Sequence, residues 1–289
     1  MLILTSAAEV TAVSKEAHRA GKRVGFVPTM GALHQGHLSL VRTARAQSDV
    51  VIVSVFVNPR QFGPTEDFAK YPRNPEQDAA MLAAEKTDYL FLPSTEEMYP
   101  PGGTSWVTVE GLSEQLDGRS RPGHFRGVTT VVSKLFNIVQ PDLAFFGQKD
   151  AAQVAIVDKM VRDLNFDVRI VVCPIVRESD GLAMSSRNAY LNPEQRKQAT
   201  VLYRALMRVQ TLADRGESSS ARLLVAGTQV MAEEPAVNLD YFEIVNRETL
   251  DPVADISGSA LVAVAANVGS TRLIDNIVLS GKGNAAEPR

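Results

Sequence analysis

A single cysteine, Cys173, stands in 289 residues, so the chain has neither an internal disulfide nor a multi-cysteine zinc cluster. It lies in the apolar run DVRIVVCPIV, which predicts a buried strand thiol rather than a nucleophile. An excess of positive charge is also missing: 30 Lys and Arg face 33 Asp and Glu, for a net charge of −3. That argues against a nucleic-acid or anionic-membrane partner, which calls for a basic patch. The opening MLILTSAAEV has no basic segment and only a short apolar run, so neither a secretion signal nor a membrane anchor is predicted. A reduced, cytoplasmic setting is the expectation. The rest of the composition, 45% apolar and 22% charged, is that of a globular protein of one or two domains with a large core.

Short β-branched runs alternate with helical patterns between residues 24 and 176. Strands are predicted at 24–28, 50–57, 88–93, 142–146 and 167–176, as continuous apolar runs that fit a parallel sheet buried on both faces. Helices are predicted at 37–48, 74–86, 127–139 and 151–164; the second opens on Asn74 and Pro75 with acidic residues in its first turn. This alternation predicts an α/β fold, a doubly wound parallel sheet of Rossmann type, over residues 1–176. Beyond residue 177 the pattern changes. One long helix from Asn192 to Gly216, a second over 218–233 and two strands, VNLDYFEIVN and ALVAVAANV, predict a smaller α+β domain over 177–289. Residues 281–289, GKGNAAEPR, read as a disordered tail.

Ligands of such sheets bind beyond the C-terminal strand ends. Four polar segments fall there: PTMGALHQGH, NPRQFGP, GQKD and RESDGLAMSSRN. The first nearly spells a P-loop, because Gly31 and Gly36 have the right spacing, but His37 and Leu38 replace its Lys and Ser or Thr. A helix starting near His37 would turn backbone N–H groups toward phosphate, Gly36 would admit it closely, and His34 and His37 would add donors. Two other readings stay open for this stretch: a tight glycine turn with incidental histidines, and a zinc site. Zinc needs a third ligand, and only His18 and His124 remain among the histidines. Lys149 and Asp150 place a cation and an anion at the third strand end, suited to phosphate and ribose hydroxyls. AMSSRN offers hydroxyls and an Arg fork. Gln61 and Gln153 suit the carboxylate and hydroxyl of a small hydroxy acid.

PTMGALHQGH resembles the HxGH signature of the nucleotidyltransferase superfamily that includes class I aminoacyl-tRNA synthetases. FVPTMGALHQGHLSLV, VSVFVNPRQFGPTEDFAKYPR, FFGQKD and DGLAMSSRNAYL, with TRLIDN at 271–276, together resemble the pantoate–β-alanine ligase (pantothenate synthetase) family. The resemblance implies a two-step, ATP-dependent reaction with magnesium and no organic cofactor. Pantoate is adenylated with release of pyrophosphate, and the amine of β-alanine then displaces AMP. It further implies that Met30, Gly31, Ala32, Leu33, His34, Gln35, Gly36 and His37 line the ATP site, with His37 as proton donor. Gly147, Gln148, Lys149 and Asp150 would hold ATP, Val176 would meet adenine through its backbone, and Met184, Ser185, Ser186 and Arg187 would form a mobile phosphate clamp. Gln61 and Gln153 would contact pantoate, Gln61 also β-alanine, with Asn58, Phe62, Val131 and Val132 shaping the pocket. His34, His37, Lys149 and Arg187 would carry the catalysis. A homodimer is implied as well. Arg60, Ala151 and Ala152 depart from the family pattern; a change at the second-substrate entrance is expected of the first, and one of local packing from the other two. Two alternatives differ in product: a simple nucleotidyltransferase stops after pyrophosphate release, and a nucleotide-binding regulator turns nothing over.

Overall fold

The computed structural model describes residues 1–64 and 66–280, so the tail expected over 281–289 lies outside the described residues. Strand β1 (Leu2–Leu4) and helix α1 (Ala7–Arg19) open the chain, followed by β2 (Val24–Thr29), α2 (Gln35–Gln47), β3 (Val50–Val55), α3 (Pro75–Ala84) and β4 (Tyr89–Phe91). Two short helices, α4 (Thr95–Met98) and α5 (Asp117–Ser120), lead to α6 (His124–Val139), β5 (Leu143–Gly147), α7 (Ala151–Asp163) and β6 (Arg169–Cys173). The six strands form one parallel sheet in the order β1-β4-β3-β2-β5-β6. Every residue of β3 is buried, as its unbroken VVIVSV run requires of a strand covered on both faces. From β2 the chain winds outward through β3 and β4, then returns to β5 on the other side of β2. The reversal therefore falls between β2 and β5, and a crevice opens at their C-terminal ends.

The remainder comprises α8 (Pro193–Gln198), α9 (Val201–Asp214), α10 (Ser220–Met231), β7 (Val237–Asn246), β8 (Ser259–Val268) and β9 (Thr271–Ser280). The last three make an antiparallel sheet in sequence order. An antiparallel strand often alternates apolar with polar residues, yet β8 is unbroken apolar sequence from Ala260 to Ala266 because both its faces are covered. Val262 and Val264 pack with Leu202, Leu206 and Leu223 of α9 and α10. Leu261, Ala263 and Ala265 face the other way, into the core that also holds Phe125 and Val128 of α6.

Four expectations change. The long helix from 192 to 216 is broken at Ala199 and Thr200 into α8 and α9. A third strand, β9, completes the small sheet, and β1 adds an edge to the large one. Strand β6 stops at Cys173, since Pro174 has no N–H to donate. Cys173 itself is 2% exposed, and burial raises its thiol pKa.

Candidate active site

Past β2 the chain turns through Gly31 and Ala32, which have φ of 83° and 50°. Asp78 holds this turn by accepting from the N–H groups of Ala32 at 3.0 Å and Leu33 at 2.8 Å. Sequence position suggests that Asp78 serves the first turn of its own helix; instead it reaches, fully buried, across to the tip of β2.

Helix α2 starts at Gln35, and its two histidines cap it reciprocally. His34 Nδ1 accepts from the Gly36 N–H at 3.1 Å, and the His34 N–H donates to His37 Nδ1 at 3.3 Å. A ring nitrogen that accepts from an N–H carries no proton, so each neutral imidazole must hold its hydrogen on Nε2. Burial, reinforced by Lys149, pushes His34 down to about 4; burial, reinforced by His34, pushes His37 down to about 3. Both rings are therefore neutral Nε2–H donors at physiological pH. The expected row of open amides at the helix start changes accordingly. Two of those N–H groups are taken by imidazoles, and the rings present donors in their place. Gly36 also makes room for the histidine: a Cβ there would stand 2.8 Å from His34 Cε1.

The second strand end is a rigid turn, Pro59–Gln61, capped by Asn58. Asn58 Oδ1 accepts from the Arg60 N–H at 3.2 Å and the Tyr99 hydroxyl at 2.8 Å, while Nδ2 donates to Gln61 Oε1 at 3.0 Å and the Gly127 carbonyl at 3.1 Å. Helix α6 can press this close because Gly127 has no Cβ, which would meet the Arg60 carbonyl oxygen at 2.2 Å. Gln61 is held from behind by His124, whose Nδ1–H donates to the Gln61 carbonyl at 2.8 Å. Arg121 donates to His124 Nε2 at 3.1 Å and pairs with Glu66 at 2.6 Å. His124 is thus the opposite tautomer to His34 and His37, and burial beside Arg121 lowers it to about 4. The Arg60 side chain turns away from the cleft and stacks between Tyr99 (4.1 Å) and Trp106 (4.5 Å). Ala152 is buried in the core beside this site.

The third and fourth strand ends supply cations. Lys149 and Asp150 lie 3.5 Å apart in a tight turn ahead of α7. Arg187 pairs with Asp67, and Tyr71 reaches Ser186 through its hydroxyl at 3.2 Å.

These tips enclose a cavity of about 220 Å³. Met30, His34, Gly36 and His37 line it from the first tip, and Asn58, Gln61 and Phe62 from the second. Gly147, Lys149, Asp150 and Gln153 come from the third, and Val176 with Met184 to Arg187 from the fourth; Val131 and Val132 form its apolar side. A wider chamber of about 650 Å³ shares Lys149, Asp150, Gln153 and Arg187. Five expected residues lie off the inner wall. Gly31, Ala32 and Leu33 are drawn to Asp78, Gln35 bonds Arg42, and the Gln148 amide turns to Asn276 at 3.0 Å. Tyr71, Arg121 and His124 line the cavity without having been expected there.

A family profile described as pantoate-beta-alanine ligase matches residues 2–278. A curated relative named pantothenate synthetase, from Koribacter versatilis, is 63% identical over 289 residues, covering 100% of this chain and 99% of the relative. The crystal structure of pantothenate synthetase from Thermus thermophilus superposes with a TM-score of 0.91 at 49% identity, covering 96% of this chain and 99% of that one. Pantoate-beta-alanine ligase from Francisella tularensis, complexed with beta-gamma ATP and beta-alanine, matches with a TM-score of 0.79 at 34% identity, covering 96% and 97%. By its full-length match, its six-stranded sheet and its cleft at the sheet's reversal, this chain belongs to the pantoate–β-alanine ligase family.

Proposed function

We propose that this chain condenses pantoate with β-alanine through a pantoyl adenylate, using the cleft between β2 and β5. A carboxylate is a poor acyl donor because its oxygen leaves badly. Attack of the pantoate carboxylate on the α-phosphorus breaks the bond to pyrophosphate and converts that oxygen into part of a good leaving group. The β-alanine amine then attacks the acyl carbon, AMP departs, and the amine loses its proton to solvent. No covalent enzyme intermediate is required; the protein positions groups and neutralises charge.

The reciprocal histidine cap of α2 carries this reading, because it aims two preorganised neutral Nε2–H donors beside Lys149. In this account His34 and His37 stabilise charge growing on phosphate oxygens, with His37 the principal donor, while Lys149 and Arg187 neutralise them. Asp150 accepts from ribose, and the Val176 backbone meets adenine. Gln61 and Gln153 take pantoate between Asn58, Phe62, Val131 and Val132, and Gln61 also orients β-alanine. Among the described residues no group of three His, Cys, Asp or Glu side chains is placed to hold a metal ion. Magnesium is taken to enter with ATP, as a hard cation that prefers phosphate oxygens. Residues 1–176 serve as the nucleotide and pantoate domain and 177–289 as its cover, in a cytoplasmic homodimer that needs neither nucleic acid nor membrane. No helix among the described residues is long and apolar enough to cross a membrane.

Product analysis tests the reaction. AMP and an amide should form only when pantoate and β-alanine are both present with ATP. ADP in place of AMP refutes the reading, and pyrophosphate release without any amide would make the chain a simple nucleotidyltransferase.

A further inference from the structure

Thr271 to Ile274 of the TRLIDN segment of β9 line the wider chamber, whereas the next two residues, Asp275 and Asn276, line neither cavity and hold two different walls from behind. Asp275 and Asn276 are 3% and 2% exposed, deep enough that each polar atom needs a partner. Asn276 Nδ2 donates to two successive backbone carbonyls, Gln148 at 2.9 Å and Lys149 at 3.0 Å, and Oδ1 accepts from Gln148 Nε2 at 3.0 Å. The turn carrying Lys149 is therefore fixed from behind at three points. Asp275 takes the guanidinium of Arg177 in a two-bond fork, at 2.6 and 2.9 Å. Arg177 in turn donates to the Gly181 carbonyl at 3.0 Å and stacks 4.4 Å from the Tyr203 ring. It also forms a bridge with Ala183, and Met184 N–H returns to the Val176 carbonyl at 3.0 Å. Arg177 thus anchors the hairpin that delivers Met184 to Arg187. The Asn276 N–H donates to Asp275 Oδ1 at 2.7 Å, so the two clasps share one stretch of backbone.

We infer that Asp275 and Asn276 are positioning residues that set the spacing between Lys149 and Arg187 across the cleft, and through it the efficiency of adenylation. The inference rests on the reading of Lys149 and Arg187 as phosphate-binding cations. The small sheet then does more than cover the site: it locks the two cation-bearing loops to one ruler without touching substrate. Asn276 is suited to this because one amide can both donate twice and accept, which a carboxylate or a hydrocarbon cannot do.

The test is a double-mutant cycle on the full chain, read as pyrophosphate release with ATP varied at saturating pantoate and with pantoate varied at saturating ATP. Asn276→Ala should lower kcat/KM for ATP by about 10- to 100-fold, the scale of a misplacement of roughly 1 Å, while pantoate KM stays within about twofold. In a Lys149→Ala background the same change should cost less than about threefold, because the group it positions is already gone. Asn276→Asp, isosteric but unable to donate when ionised, repeats the cycle if the alanine variant melts below the assay temperature. Losses that multiply in full, or a matching rise in pantoate KM, would mark a general structural role and overturn the inference. A silent Asn276→Ala beside a defective Lys149→Ala overturns it alone. If Lys149→Ala leaves the ATP parameters untouched, the phosphate reading fails and takes this inference with it.

Discussion

Arg187 forks onto the carboxylate of Asp67, with Nε to Oδ2 at 3.0 Å and Nη2 to Oδ1 at 2.9 Å. A guanidinium recognises carboxylate and phosphate through the same planar fork, so Asp67 occupies the geometry that a phosphate would take. The cation proposed to clamp ATP must leave this partner first. Asp67→Asn removes the competing charge and keeps the shape. KM for ATP should fall by about fivefold, equivalent to the roughly 1 kcal/mol of a partly exposed ion pair, with pantoate KM unchanged. Steady-state kinetics checks this; a rise in ATP KM would show that Asp67 assists the nucleotide instead.

His37→Ala should leave the fold intact and slow adenylation by about 10², the typical cost of one transition-state donor. Its melting temperature and rate of pyrophosphate release are the two readouts. Release at the normal rate removes His37 from the mechanism.

Gln61→Ala and His124→Ala should each raise pantoate KM, leaving ATP KM within about twofold. The first removes the contact, and the second frees the backbone that aims it, since His124 Nδ1–H holds the Gln61 carbonyl. An asparagine side chain can place an amide N–H near the lost Nδ1–H, so His124→Asn should recover most of the affinity. A larger effect on ATP than on pantoate would mean that the pocket is misassigned.

His34, His37 and His124 are held at about 4, 3 and 4 in the folded chain, against an ordinary 6.5. As pH falls below about 6.5 the unfolded chain takes up these protons and the folded chain does not, so stability declines. The decline is at most about 1.4 kcal/mol per pH unit for each histidine, down to its folded pKa. Urea midpoints at pH 7.5 and 5.5 bracket the effect while staying above the carboxylate range, and the lower pH should give the lower midpoint. Between pH 6 and 8 these rings should add no ionisation to the kcat/KM profile for ATP. An unchanged midpoint would mean that the histidines are not buried neutral.

How much of this was legible in the sequence depended on how each residue does its work. Strands β2, β3 and β5 announced themselves because burial on both faces demands unbroken apolar runs; β6 was found by its apolar run although it is a partly buried edge strand. Strand β9 stayed hidden because Arg272, Asp275 and Asn276 break its pattern, their polarity being absorbed by Asp117, Arg177 and Gln148. The break between α8 and α9 carries no Gly or Pro, and Ala199 and Thr200 keep nearly helical torsions, so no local signal existed. Motif residues His34, His37, Lys149 and Arg187 were found by their chemistry. Asp78, Arg121, His124 and Asn276 were missed because each acts through a partner 45 to 128 residues away or through a backbone atom. That pairing exists only once the chain has folded.

The most direct measurement is mass spectrometry of the protein mixed with ATP, magnesium and pantoate, with β-alanine withheld. The account predicts pantoyl adenylate and pyrophosphate, then conversion to pantothenate and AMP when β-alanine is added. Amide formation with no adenylate at any time, or phosphate and ADP as the nucleotide products, would contradict it.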